Sequence, residues 1–314
     1  MVRSRSLAVS LLAVLVLLPA CGGAEQAPPH AATTPKASAN AFPLTLVDDD
    51  GVSVTLQAPP QRIVTWAPSN TEILFALGLG GREVGDSGPF DNYPPEAASI
   101  PHVGGEGGVT PDIEKIVSLR ADLVLNGFEG GQEWKDQLRK LAIPVFSIYA
   151  STLDDAIHDI RTVGRITGAA ARADAVVRTM SAKIESVAAV VAKTVKVACF
   201  FEAYYPPLTT VGPHTFIYDI LRRAGCDPVS ARAKGDYPQW SVDKLVQEGP
   251  DVYFAASESA ESPTAVASRP GFGGITAVKD GHVFLIDSDL VTRPGPRVVQ
   301  ALEAIARDLH PSAF

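Results

Sequence analysis

Short apolar runs alternate with stretches of helical period along most of the chain. Leu44 and Leu46, then Val52, Val54 and Leu56, flank Asp49-Asp50-Gly51, so residues 44–47 and 52–56 are predicted to pair as a hairpin around an Asp-Gly turn. The β-rich run at residues 62–66 leads into Ala67-Pro68-Ser69-Asn70-Thr71-Glu72, in which Ser69 or Asn70 can cap a helix reaching Leu79. Further short strands are predicted at residues 83–85, 123–125 and 144–148, with helices at 110–119 and 132–141 between them. Strand and helix in alternation indicate a parallel α/β sheet, since each parallel pair needs a crossover.

Two helices follow in direct succession, at residues 152–167 and 169–193. At 1.5 Å per residue the second spans about 36 Å, the width of a small domain. A strand at residues 196–200 then opens a second α/β series. An internal echo joins the two halves: Glu114-Lys115-Ile116-Val117 with Asp122-Leu123-Val124 returns 129 positions later as Asp243-Lys244-Leu245-Val246 with Asp251-Val252-Tyr253. In each copy a capped helix (Thr110 with Pro111 at one start, Ser241 at the other) turns into a strand. The expected architecture is α/β, with an N-terminal lobe at 42–168 and a C-terminal lobe at 194–314 joined by the helix at 169–193. A cleft between such lobes suits a small ligand.

The N-terminus has another character. Arg3 and Arg5 precede an apolar run at residues 7–18 and then Leu18-Pro19-Ala20-Cys21, an arrangement that resembles a bacterial lipoprotein signal. The resemblance implies a signal peptide over 1–20, lipidation of Cys21, and a location on the extracytoplasmic face of the cell membrane. An uncleaved anchor or a plain secretory signal is the alternative. Residues 21–41, rich in Gly, Ala, Pro, Thr and Ser without apolar period, read as the lipidated Cys and a flexible tether.

Composition narrows the function classes. Without residues 1–20 there are 25 Lys and Arg against 35 Asp and Glu, a net charge of −10, which argues against a nucleic-acid-coating role. No later apolar stretch approaches the roughly 20 residues of a membrane span, which argues against a polytopic transporter. Cys199 and Cys226 fit either a disulfide or two buried thiols. Gly104-Gly105-Glu106-Gly107-Gly108 lacks the spacing of a phosphate loop and reads as a cleft-rim loop. The histidines show no i, i+4 pair of a helical zinc site, although His214, in Gly212-Pro213-His214-Thr215, is placed to reach a chelate's metal as an axial ligand.

Several segments resemble the ferric-siderophore and cobalamin class of substrate-binding proteins for ABC importers, closest to its cobalamin-binding members. They are Arg62-Ile63-Val64-Thr65-Trp66-Ala67-Pro68-Ser69-Asn70-Thr71-Glu72, Phe90-Asp91-Asn92-Tyr93-Pro94-Pro95, Pro111-Asp112-Ile113-Glu114-Lys115-Ile116, Tyr237-Pro238-Gln239-Trp240-Ser241, and Ser288-Asp289 through Arg293-Pro294-Gly295-Pro296-Arg297. The resemblance covers about residues 43–309. It implies the class III periplasmic-binding-protein fold, the helical-backbone metal-receptor type, working as a monomer without catalytic residues or a resident cofactor. Phe90, Phe128, Leu208 and Tyr237 are implied as cleft walls and Asp289 and Arg293 as polar contacts, while Glu114 and Asp243 would pair with arginines of an ABC importer permease. The implied ligand is a small metal chelate, a corrinoid favoured, with a ferric siderophore or haem as runner-up. The cobalamin-binding members are richer in pocket Trp than this chain. A tetrapyrrole chelatase acting in the same cleft is the enzyme alternative, and the implied reading is that the protein is not an enzyme.

Overall fold

The hairpin forms around Asp49-Asp50-Gly51: β1 (Leu44–Val47) and β2 (Ser53–Leu56) pair antiparallel with Leu44 opposite Leu56. The computed structural model describes residues 41–105 and 110–314. The signal at 1–20, the lipidation site Cys21, the tether up to residue 40, and Glu106, Gly107 and Gly108 of the glycine loop lie outside the described residues. The hairpin turn docks on the first sheet through Asp50, whose Oδ2 accepts hydrogen bonds from Lys135 Nζ at 2.9 Å and Ser147 Oγ at 2.7 Å.

The first sheet contains β3 (Ile63–Trp66), β4 (Glu83–Gly85), β5 (Leu123–Asn126) and β6 (Val145–Ser147) in the parallel order β4-β3-β5-β6. Helix α1 (Pro68–Ala76) follows β3. Its N-cap is Ala67, with no side-chain cap, rather than Ser69 or Asn70. Pro68 at the first turn presets the helical φ, which leaves the polar side chains at 69–72 free to point into the protein. Helix α2 (Ile113–Ser118) starts later than expected, with the Asp112 side chain capping Lys115 N at 3.0 Å. Pro111 is held extended in a bridge to Gly104, so the helix cannot begin at Thr110. Helix α3 (Gln132–Lys140) precedes β6, and α4 (Leu153–Ile166) follows it with a full capping box between Thr152 and Asp155.

Helix α5 (Ala170–Val191) is the long rod. Its buried side chains, Ala173, Val177, Met180 and Val187, with Val176, Ile184 and Val191 packed beside them, form one stripe at helical spacing. The second sheet contains β7 (Val197–Tyr204), β8 (Thr209–Thr210), β9 (Cys226–Pro228), β10 (Val252–Ala256) and β11 (Val283–Ile286) in the order β11-β10-β7-β8, with β9 beside the start of β7. It is not wholly parallel, because the two-residue β8 returns antiparallel along β7. Between and after these strands lie α6 (Phe216–Arg223), α7 (Val242–Glu248), α8 (Pro263–Ala267), α9 (Thr276–Lys279), α10 (Ser288–Val291) and α11 (Val298–Leu309). A disulfide joins Cys199 of β7 to Cys226 of β9, with Cα atoms 5.8 Å apart.

Strand alternation decides where the core sits. Ile63, Leu123 and Leu125 of the first sheet, and Cys199, Phe201, Val252 and Phe254 of the second, face one continuous apolar core with α4, α5 and α11. Their neighbours Val64 and Val124 face a separate layer with Trp134 and Leu138, and Phe200, Tyr253 and Ala255 face another with Trp240 and Phe272. Burial on both faces is why these strands read as unbroken apolar runs.

The α4/α5 contact depends on close approach at Gly164, where a Cβ would lie 2.4 Å from Ala173 Cβ. Gly164→Ala is therefore expected to lower unfolding stability by about 1–3 kcal/mol in urea melts, from overpacking. Gly273→Ala, where nothing lies within 4 Å, is expected to change stability little in the same measurement.

Candidate ligand cleft

Parallel strands leave their carboxyl ends on one side of a sheet, and ligands of open α/β folds bind beyond those ends. Here β3 and β5 end at Trp66 and Asn126, where a cavity of about 470 Å³ is lined by Trp66, Asn126, Phe128, Glu129 and Trp134. In the second lobe β7 and β10 end at Tyr204 and Ala256, and a cavity of about 370 Å³ is lined by Phe201, Tyr204, Phe216, Tyr237 and Thr292. Gly127 lets the end of β5 close on α1, since a Cβ there would lie 2.5 Å from Ala67 Cβ. The last strand residue then shapes the turn that presents Phe128: Asn126 Oδ1 accepts a hydrogen bond from Phe128 N at 3.2 Å, and Asn126 Nδ2 donates to Phe128 O at 2.7 Å.

A buried ion cluster joins the lobes, and Glu72, Tyr93 and Arg297 of it line a further cavity of about 670 Å³. Glu72 of α1 is only 3% exposed, and its carboxylate receives Arg293 Nη1 at 3.1 Å, Arg297 Nε at 2.9 Å and Arg297 Nη2 at 2.5 Å. Arg293 also pairs with Asp289, four residues earlier. The loop after β4 is drawn into the same cluster. Arg293 Nη1 donates to Asn92 Oδ1 at 3.0 Å, Asn92 Nδ2 donates to Asp289 Oδ2 at 3.2 Å, and Arg297 stacks 3.7 Å over the Tyr93 ring. Bidentate guanidinium pairing of this kind fixes geometry as well as charge.

The expected site residues separate into three groups. Phe90, Phe128 and Tyr237 are 63%, 50% and 58% exposed; Phe128 and Tyr237 line the two cavities at the strand ends, and Phe90 stands in the loop after β4. Tyr204, which sequence reasoning missed, joins them at 56%. Asp289 and Arg293 meet each other at the seam, and Glu72, Asn92 and Arg297 complete that arrangement. Leu208 is a correction: it is 4% exposed within the core layer of Phe200, Trp240 and Leu245, because the turn into β8 directs it to the closed face of the second sheet. His214 is exposed at the start of α6, and among the described residues no group of three metal-ligating side chains occurs.

Glu114 and Asp243 prove equivalent in structure. Each is the second residue of a short helix leading to a central strand, Glu114 after the Asp112 cap of α2 and Asp243 after the Ser241 cap of α7, and each is exposed. Exposed Val117 and Val246 lie three residues further along, and Ile116 and Leu245 are fully buried beneath them.

Residues 63–290, from the first residue of β3 into α10, match the family described as periplasmic binding protein. The chain belongs to the periplasmic binding protein family. An ABC transporter substrate-binding lipoprotein of Bacillus subtilis is 31% identical over 97% of this chain and 96% of its own length. A cobalamin-binding protein of Halobacterium salinarum is 29% identical over 98% of this chain and 85% of its own. The crystal structure of the periplasmic vitamin B12 binding protein of Vibrio cholerae superposes with a TM-score of 0.71 at 22% identity, over 81% of this chain and 98% of that one, which establishes the shared fold. The fold of this periplasmic binding protein is the helical-backbone, class III type, with α5 as the backbone helix.

The ion cluster of this family member can be tested without a ligand. Glu72→Ala leaves Arg297 partly buried without its carboxylate and Arg293 with Asp289 alone, so a loss of about 3 kcal/mol of unfolding free energy is expected in urea titrations, with Glu72→Asp recovering part of it.

Proposed function

We propose that this protein is the substrate-binding lipoprotein of an ABC importer and that it captures a corrinoid in the cleft between its lobes. The observation that carries the reading is the set of exposed aromatic side chains, Phe128, Tyr204 and Tyr237 in the cavities at the carboxyl ends of the two sheets and Phe90 in the loop after β4. A corrinoid is a broad apolar plate fringed with amides, so it needs aromatic walls and a few oriented polar groups. Asp289, 28% exposed at its side chain and held by Arg293, is suited to accept from such amides. Arg293 and Arg297 are already paired with carboxylates, so they offer an anionic siderophore little free positive charge. Relatives named as cobalamin-binding and vitamin B12-binding support the same choice.

In this reading residues 1–20 are a signal peptide, Cys21 is lipidated and the following tether holds a monomer at the extracytoplasmic face of the membrane. The Cys199–Cys226 disulfide agrees with an oxidising compartment. The protein binds and releases its ligand chemically unchanged, with no catalytic residue and no resident cofactor. The visible spectrum of released ligand therefore matches that of the ligand added, whereas a chelatase would change it.

Cyanocobalamin is expected to bind in a one-to-one ratio, followed by intrinsic fluorescence. Phe90→Ala with Tyr237→Ala is expected to weaken it, each aromatic contact contributing roughly 0.5–1.5 kcal/mol beyond burial. Binding of a ferric siderophore with no binding of cyanocobalamin or cobinamide would overturn the corrinoid assignment.

Glu114 and Asp243 are proposed to meet arginines of the permease, one acid per lobe. Such charges set register and encounter rate more than affinity. The double reversal Glu114→Arg with Asp243→Arg is expected to preserve ligand binding and abolish uptake in cells lacking other binding proteins. Normal uptake at normal protein level would leave both acids with only the helix-end role.

A further inference from the structure

Beneath the loop that carries Phe90, Asn92 and Tyr93, three carboxyl groups are buried together: Glu83 in β4, Asp86 just after it and Asp91 within the loop, at 5%, 0% and 2% exposure. Burial raises all three above the ordinary carboxyl range, Glu83 to about 7 and Asp86 to about 6; repulsion from Asp91 adds to the rise at Glu83 and Asp86, while Arg293 opposes it at Asp91. Asp86 has a partner in His102, whose Nδ1 lies 2.6 Å from Oδ1. Asp91 faces Arg293 across the seam as well as Glu83 and Asp86. Glu83 meets only hydroxyl groups through Oε1, and its Oε2 has no hydrogen-bond partner.

The hydrogens can be counted. Thr65 Oγ1 lies 2.5 Å from Glu83 Oε1 and 2.8 Å from Thr71 Oγ1, while Thr71 Oγ1 lies 2.8 Å from Glu83 Oε1 and 2.5 Å from Asp91 Oδ1. Oxygens this close need a hydrogen between them. The two threonines supply one hydrogen each and an ionised carboxylate supplies none, so four contacts would share two hydrogens. A proton on Glu83 and another on Asp91, both donated to Thr71 Oγ1, complete the set. Thr71 then donates to Thr65, and Thr65 donates to Glu83. Ser87 Oγ fills the remaining contact, 2.5 Å from Asp91 Oδ2.

We propose that Glu83 and Asp91 hold at least one proton between them through Thr71, and that this protonated cluster seats the aromatic loop so that ligand capture is proton-linked. Thr71, Glu83 and Asp91 are positioning residues in this scheme: Asp91 anchors the loop to the first lobe, its neighbours Asn92 and Tyr93 reach the seam, and Phe90 is exposed beside them. The link to ligand capture rests on the cleft reading above. The sign follows from the raised carboxyls. Their stabilisation is complete below the ordinary carboxyl range and is lost as pH rises through the folded value, about 7 for Glu83. Above it, like charges accumulate under the loop and loosen its seat.

Carboxyl carbon-13 resonances of the purified full chain, assigned with Glu83→Gln and Asp91→Asn, are expected to show at least one of the two groups protonated at pH 6 and titrating near neutrality. Both ionised at pH 6 overturns the proposal. Cyanocobalamin affinity in the wild type is expected to fall by up to about tenfold per pH unit above the folded value, the limit for one linked proton. Glu83→Gln, which keeps a donor toward Thr71 at every pH, is expected to flatten that profile, and Asp91→Ala to bind weakly throughout. Parallel losses in wild type and Glu83→Gln overturn the link. Because the carboxyl titration needs no ligand, absence of cyanocobalamin binding at every pH counts against the corrinoid assignment and leaves the proton count to be decided by resonance.

Discussion

A single apolar core lies under both sheets, and the geometry of the cleft depends on it. Ile63, Leu123 and Leu125 enter it from the first sheet and Phe201, Val252 and Phe254 from the second, while α5 supplies the stripe from Ala173 to Val191. Separating or rotating the lobes would expose part of this surface, at about 25 cal/mol for each Å² of apolar area. The strand ends are therefore held at a nearly constant spacing. A rigid crossing helix also offers few hinge dihedrals, so the expected closure on binding is small.

The polar seam works in the same direction by different physics. Glu72 lies between Arg293 and Arg297, and its buried carboxylate takes its ion pairs from the other lobe. Buried pairs of this type contribute little net stability against an apolar alternative, but they are intolerant of misalignment. Their effect is positional: Asn92 and Tyr93 are held against Arg293 and Arg297, which sets where neighbouring Phe90 stands. The cleft consequently combines neutralised charge at its seam with uncovered aromatic surface on its walls, a combination suited to a large, weakly charged ligand.

Much of the architecture was legible in the chain because it depends on near neighbours. The Asp-Gly hairpin, the Thr152 and Ser241 caps and the apolar stripe of α5 each follow from residues within a few positions of one another. The equivalence of Glu114 and Asp243 was equally visible, since both copies carry the same spacing from acid to buried aliphatic residue to strand. Helix starts were less secure. Pro68 and Pro111 act on their neighbours' dihedrals in opposite senses, one opening a helix and the other holding the chain in a bridge, and only the surrounding strands decide which.

The alternating strands and helices, the long α5 and the residue types available at each strand end follow from the order of residues along the chain. Tertiary structure alone decided which of those side chains face a cleft and which are spent on the protein itself. Leu208 and Tyr237 look alike as apolar loop residues, yet one fills a core layer and the other stays exposed. Arg293 reads as a ligand contact until Glu72, 221 positions away, is seen to occupy it. Thr65, Thr71, Glu83 and Asp91 are unremarkable in the chain, and their shortage of hydrogens exists only as distances between four oxygens. Periodicity and capping are set by local backbone geometry, whereas partnership between distant charges and hydroxyls is a property of closure in three dimensions.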